Sequence, residues 1–242
     1  NAITITSATD TSLNAAATTG AVSLTGAGPF TVANPATAGA HALGNVTAAS
    51  LVTVDATTTV NLLTVSGNGP TTVNNLIAAA GFVTSTATAA TGILTVNGTD
   101  AQAHTIVGGA AADVITITNV TGNGIQTITG AAGNDTVTLT GTTGANVVVL
   151  GAGNDIYVAG AGGGTVTGGT GADTITAAAG ADVFAYTTVL ESSGVSADTI
   201  NAMDFSADVI QITSGMTTTG FNAGTATTTT VAPSALGSTA AS

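Results

Sequence analysis

Gly168 to Thr176 reads GGTGADTIT, with glycine at the first, second and fourth places, aspartate at the sixth and a large apolar residue at the eighth. Such a unit joins a tight turn, where glycine supplies the positive φ that other residues resist, to a short strand whose inward side chain is the eighth residue. The aspartate closing the turn is expected to face the turn of the next coil. Laid along the chain, the same nine-residue frame puts Asp113, Asp135, Asp155, Asp173 and Asp182 at the sixth place, in GGAAADVIT, GAAGNDTVT, LGAGNDIYV, GGTGADTIT and AAAGADVFA. The eighth places are then Ile115, Val137, Tyr157, Ile175 and Phe184, all able to fill a core. Between these lie TGNGIQTIT, GTTGANVVV and AGAGGGTVT, which carry Gln126, Asn146 and Gly164 at the sixth place.

Acidic and neutral units therefore alternate. If two units make one coil, the turns at 113, 135, 155 and 173 stack on one edge and those at 126, 146, 164 and 182 on the other. Neighbouring coils lie about 4.8 Å apart, the spacing of paired strands. Carboxylates stacked that closely repel one another unless a cation lies between them. A hard divalent ion with ligand distances of about 2.3 to 2.6 Å, held by carboxylates and turn carbonyls, suits such a gap. The expectation is Ca2+ along the first edge, with the second edge largely metal-free until Asp182. A single glycine-aspartate match in a chain with 33 glycines would be an ordinary turn; five in one frame, each with an apolar residue two places later, are not.

Composition narrows the function. The 242 residues include no lysine or arginine, only 5% are charged, and the formal charge is -12. Every carboxylate must therefore stay in water, accept hydrogen bonds or bind an external cation. Nucleic acid is not expected as a partner, because its binding begins with basic contacts to phosphate. Anionic membrane surfaces are disfavoured for the same reason, and no apolar run of about 18 residues offers a spanning helix. Cysteine is absent, so no disulfide contributes. There is no positively charged amino-terminal signal region, and the start at Asn1 leads us to expect that an upstream portion has been removed.

Three segments are expected: a β-rich repeat region over 1–98, the calcium roll over 99–185 and a carboxy-terminal capping, secretion-related segment over 186–242. The first contains the strand-like runs AITITS, AVSLTG, FTVAN, LVTVD, VNLLTVSG and ILTVNG. Its best internal match pairs VSLTGAGPFTVAN with LTVSGNGPTTVNN, from Val22 to Leu63, an offset of 41 residues that suggests stacked supersecondary units. Alanine-rich stretches at 36–42 and 77–80 read as helical turns or wide loops. Asp10 and Asp55 read as turn residues, and Asp100 as a cap on the roll. His41 and His104 lack a second ligand at zinc spacing and read as surface or turn residues. No GxSxG stands on a strand-to-helix turn with a base positioned for it, so no enzyme is expected. After the roll, DVIQIT alternates as a strand covering its open end, and TATTTTVA reads as one more strand.

The segment from about 105 to 213 resembles the RTX calcium β-roll and the following part of type I secreted proteins, including the non-catalytic region of serralysin-type metalloproteases. GGTGADTIT, AAAGADVFAY, LES and ADTINAMDFSADVIQI carry the likeness. The resemblance implies an all-β parallel β-roll or β-solenoid, with a β-rich repeat region before it and a β capping segment after it. It also implies one-step export from a Gram-negative bacterium and calcium-driven folding. Calcium ligation is carried over to Asp113, Asp135, Asp155, Asp173 and Asp182, to the turn carbonyls of Gly133, Gly151, Gly153, Gly169 and Gly171, and to Asp198, Asp204 and Asp208 in the capping segment. With its low charge and abundant threonine, the chain also looks similar to surface-layer proteins. The leading expectation is a structural extracellular protein at the cell surface that associates with copies of itself as a surface layer, filament or tube, with cell-surface polysaccharide as a further partner. Two alternatives are a calcium-rigidified adhesin module and the non-catalytic portion of a larger exported enzyme.

Overall fold

A computed structural model describes residues 93–98, 103–118, 124–188, 190–192 and 194–212, together with the strands before residue 86, of which only Pro70, Thr71 and Thr72 are described beyond the backbone. Among the described residues twenty-one strands form two sheets. The first contains β1 (Ile3–Ser7), β3 (Val22–Gly26), β5 (Ala40–Asn45), β7 (Leu62–Gly67), β9 (Gly81–Ser85) and β11 (His104–Val107). It continues through β13 (Thr127–Ala132), β15 (Asn146–Ala152), β17 (Gly164–Thr170), β19 (Asp182–Tyr186) and β21 (Val209–Ile212). The second contains β2 (Thr11–Asn14), β4 (Phe30–Ala33), β6 (Val52–Asp55), β8 (Thr71–Leu76) and β10 (Leu94–Gly98). Its remaining strands are β12 (Val114–Thr118), β14 (Thr136–Thr140), β16 (Ile156–Val158), β18 (Thr174–Thr176) and β20 (Thr199–Asn201). Odd strands pair only with odd and even only with even, so the chain alternates between two stacked sheets once per half-coil. Every pairing is parallel, and no helix occurs among the described residues. The molecule is a parallel β-solenoid, with about four coils across the glycine-rich region.

Strand alternation explains the core. In β15 the pattern is buried at Asn146, Val148 and Leu150 and exposed at Val147 and Val149. The eighth-place residues Ile115, Val137, Tyr157, Ile175 and Phe184 are all buried, at 0 to 3% exposure; the first four, in the second sheet, share one cluster with Ile106, Ile128, Val148, Val166 and Phe184 of the first. Each fully buried aliphatic or aromatic side chain contributes about 1.5 to 3 kcal/mol relative to exposure.

All six strand-like runs read in the first 98 residues coincide with strands, namely β1, β3, β4, β6, β7 and β10. The internal repeat also acquires a geometric meaning. Ser23 pairs with Ala42 and Ala42 with Thr64, so the offset between Ser23 and Thr64 is two coils of the solenoid. At residue 98 β10 pairs with both β8 and β12, with a register shift against β8 between Val96 and Gly98. Asp55 ends β6 instead of occupying a turn, and His41 lies within β5. The alanine stretch 36–42 reaches into β5 at residue 40. Its earlier part, 77–80, Asp10, Asp100 and TATTTTVA lie outside the described residues.

One turn departs from the glycine rule. Ala131 holds φ 83°, aligned with Gly151 (φ 116°) and Gly169 (φ 99°) at the second place of the frame. A left-handed conformation costs a non-glycine residue roughly 1 to 2 kcal/mol, and glycine's greater freedom when unfolded returns about half of that. Ala131→Gly should therefore raise the calcium-loaded protein's urea midpoint, by about 0.5 to 1 kcal/mol of stability; an unchanged or lower midpoint would show that the turn is unstrained.

Candidate metal centre

Strand register stacks one row of carboxylates. Val114, Thr136, Ile156, Thr174 and Thr199 are successive partners in the second sheet, and the residue before each is Asp113, Asp135, Asp155, Asp173 and Asp198. The parallel ladder slants, so the Thr136 N–H bonds the Asp113 carbonyl and the Asp113 N–H is left without a carbonyl at the strand's start. The carboxylate of the following coil fills that place. Asp113, Asp135 and Asp155 donate their N–H to Oδ1 of Asp135, Asp155 and Asp173 at 2.7, 2.7 and 2.9 Å. Leu94 donates to Asp113 Oδ1 at 2.7 Å and Asp173 to Asp198 Oδ1 at 3.0 Å. The aspartates thus face the preceding coil, not the next one as the frame alone suggested, because that is where the slanted ladder leaves a donor unmatched.

The second carboxylate oxygen separates the members of the row. Asp113 Oδ2 accepts the Gly109 N–H at 2.7 Å. Oδ2 of Asp135, Asp155, Asp173 and Asp198 is buried without a hydrogen-bond partner among the described residues. An ionised oxygen in that position is costly. Burial pushes the Asp135 carboxyl up to about 7, against the lowering effect of the Asp113 N–H and with the charges of Asp113 and Asp155 adding to the rise. Burial likewise raises Asp155 to about 6, Asp198 to about 6 against the lowering effect of the Asp173 N–H and of a hydrogen bond from the Tyr186 hydroxyl, and Asp113 and Asp173 above the usual carboxylate range.

These orphaned oxygens are the test of whether a cation fits. A Cβ added at Gly130 would run into Asp135 Oδ2 and the Leu150 carbonyl oxygen, and one at Gly168 into Asp173 Oδ2. The first-place glycines therefore let carboxylate and carbonyl oxygens converge at the turn, a hard all-oxygen donor set of the kind calcium takes. Among the described residues no three acidic or histidine side chains gather at one point. Any ion here is held by one or two carboxylates, with backbone oxygens completing its shell. Gly133, Gly153 and Gly171 have positive φ (120°, 146° and 132°). A Cβ at Gly153 would meet the Gly133 carbonyl oxygen and one at Gly171 the Gly153 carbonyl oxygen, so these carbonyls line the same edge.

The other edge is built differently. His104, Gln126, Asn146, Gly164, Asp182 and Asp208 occupy equivalent places in the first sheet. The Gln126 N–H bonds Asn146 Oδ1 at 3.0 Å, and the Asp182 N–H bonds Asp208 Oδ1 at 2.9 Å. Asp182 Oδ2 accepts from Ala178 at 3.2 Å, and Asp208 Oδ2 from the Asp204 N–H at 2.8 Å. At Gly164, which has no side chain to offer, the Asn146 N–H turns to the Gly163 carbonyl at 3.2 Å. His104 is 1% exposed, so it is a buried member of this row and not a surface histidine. Asp204 is exposed, accepts from Ser206 and stands outside both rows.

Two features had no weight in the sequence reading. Asn134 and Asn154, at the fifth place, take the N–H groups of Asn154 and Ala172 one coil later, both at 2.9 Å. They staple the turns in the direction opposite to the aspartates, and the repeated GND was the signal for them. Glu191 is buried and accepts both the N–H and the hydroxyl of Thr187, closing the turn after the last repeat.

A parallel roll with glycine turns and one edge of buried, under-satisfied carboxylates defines the class of calcium-binding β-rolls. Residues 120–138, 138–166 and 160–186 match the RTX calcium-binding nonapeptide repeat (4 copies), and this stretch is an RTX-type β-roll. Asp113, Asp198 and Asp208 lie outside the matched residues. No curated protein and no solved structure matches the chain. No helix among the described residues is long and apolar enough to cross a membrane.

Proposed function

We propose that calcium enters along the first edge at Asp135, Asp155, Asp173 and Asp198, and that the calcium-ordered roll is a structural, extracellular element whose copies associate as a surface layer, filament or tube. The observation that carries the reading is the row of buried Oδ2 atoms without donors in a chain that has no lysine or arginine. Asp113, Asp182 and Asp208 have N–H donors on their second oxygens and serve the backbone. RTX repeat proteins are generally exported, which supports the extracellular assignment. A structural role is supported by the use of the stacked side chains as backbone acceptors.

Calcium titration of the full chain by calorimetry tests the ligand assignment. Asp135→Asn, Asp155→Asn and Asp173→Asn combined should abolish most calcium uptake, whereas Asp182→Asn should keep the wild-type stoichiometry. Full uptake by the triple variant would remove the first edge as the binding site.

A further inference from the structure

We infer that Asn134 and Asn154 are positioning residues for the metal: each clamps one turn peptide of the next coil, so that the glycine carbonyl of that peptide is held in place as a ligand. This rests on calcium binding along the first edge, as proposed above, and adds two side chains to the machinery there. Asn134 Oδ1 accepts the Asn154 N–H and Asn154 Oδ1 the Ala172 N–H, both at 2.9 Å. Those N–H groups belong to the peptides joining Gly153 to Asn154 and Gly171 to Ala172. Both peptides are trans, and in a planar trans unit the N–H and the C=O point in opposite directions. An acceptor that holds the N–H therefore fixes where the carbonyl points.

Glycine makes such a clamp necessary. Gly153 and Gly171 hold φ at 146° and 132°, and without a Cβ the peptide that follows rotates against little steric resistance. The Gly153 N–H is fixed by the Thr170 carbonyl at 2.9 Å, which leaves the peptide on the other side of Gly153 to Asn134. Glycine also admits the clamp. A Cβ at Gly153 would lie 3.0 Å from Asn134 Oδ1, and one at Gly171 3.1 Å from Asn154 Oδ1. The Gly153 carbonyl oxygen is the atom that a Cβ at Gly171 would strike, so the oriented carbonyl lies within the stack of turns that carries the carboxylate row.

The clamp acts against the direction of the aspartates. The Asp155 N–H bonds Asp173 Oδ1 and the Asp173 N–H bonds Asp198 Oδ1, each acceptor lying in the following coil. Two consecutive N–H groups, those of Asn154 and Asp155 in one turn and of Ala172 and Asp173 in the other, are thus held from opposite sides. Ala112 and Ala172 stand at the fifth place before Asp113 and Asp173 and have no side-chain acceptor, so they offer the following coil no such clamp. Both asparagine bonds are exposed, where a bond to protein replaces one to water and adds little to folding. Their loss is therefore felt by the metal more than by the fold.

The test uses the full chain, with calcium for affinity and with europium ion for luminescence lifetimes in H2O and D2O, which count the waters on the bound ion. Asn134→Ala with Asn154→Ala should keep the calcium-loaded far-UV circular dichroism spectrum and the number of ions bound. It should weaken calcium binding by about threefold to tenfold, the worth of one hydrogen bond, and add about one water to each affected ion in place of a carbonyl. Val137→Ala, which removes core volume without altering a turn residue, should lower the urea midpoint and leave the water count unchanged. An equal rise in water count in that variant would show general loosening and overturn the inference, as would loss of the strand signal in the asparagine variant. Wild-type affinity and hydration in the asparagine variant would overturn the clamp and leave the edge site standing. Europium bound as fully by Asp135→Asn, Asp155→Asn and Asp173→Asn combined as by the wild type would overturn both.

Discussion

Withdrawing calcium at neutral pH should melt the roll over residues 113–212 and dissolve any assembly built from it. Neighbouring members of the row are one strand spacing apart, where two unit charges repel by about 3 kcal/mol at an effective dielectric of 20. The row has three such contacts among Asp135, Asp155, Asp173 and Asp198, and each member has an oxygen without a donor. Their sum, about 10 kcal/mol, is as large as the whole stability of a typical domain. Apolar burial alone leaves no surplus to absorb it, and no basic side chain stands in for the ion. Far-UV circular dichroism should lose its strand signal on addition of chelator and recover it with calcium, and electron microscopy should show particles only in calcium. Particles that survive chelation, or a spectrum that does not change, would sink the calcium assignment.

Acid should replace calcium in the metal-free chain. The folded carboxyl of Asp135 is raised to about 7, and those of Asp155 and Asp198 to about 6, in each case chiefly by burial, whereas an unfolded aspartate titrates near 3.9. Between these values the folded chain binds more protons than the unfolded one, so stability falls as pH rises. The protonated rows contribute fully below about pH 4, and the contribution is lost as pH rises through about 6 to 7. Chelated protein that is unfolded at pH 7.5 should therefore regain strand structure near pH 4.5. With calcium bound the slope reverses, because protons and the metal compete for the same oxygens. Urea midpoints measured across pH with and without calcium should cross; a metal-free midpoint higher at pH 7.5 than at 4.5 would contradict the burial argument.

Much of this was legible in the sequence because it is local. Glycine at the turn places, an apolar eighth residue and a period of two along each strand are properties of nine consecutive residues. They put Ile115, Val137, Tyr157, Ile175 and Phe184 in the core and sorted the sixth places onto two edges, as the register shows. His104, expected as a surface or turn residue, is buried because it heads the row of the second edge, next to Gln126 in register, a place set by the stacking of coils.

By itself, then, the sequence determined a parallel roll, its turn chemistry, its apolar interior and the alternation of acidic with neutral units. Only the tertiary structure decided which carboxylate oxygens lack donors, that Asp198 and Asp208 extend the two rows, and that the 41-residue repeat is a pair of coils. The reason is the length of the coil. Successive members of the first row are separated by 22, 20, 18 and 25 residues, so no fixed period carries the register from one turn to the next. A carboxylate's second partner is set by how the chain closes each coil against the one before it, and that closure is a property of the stacked sheets.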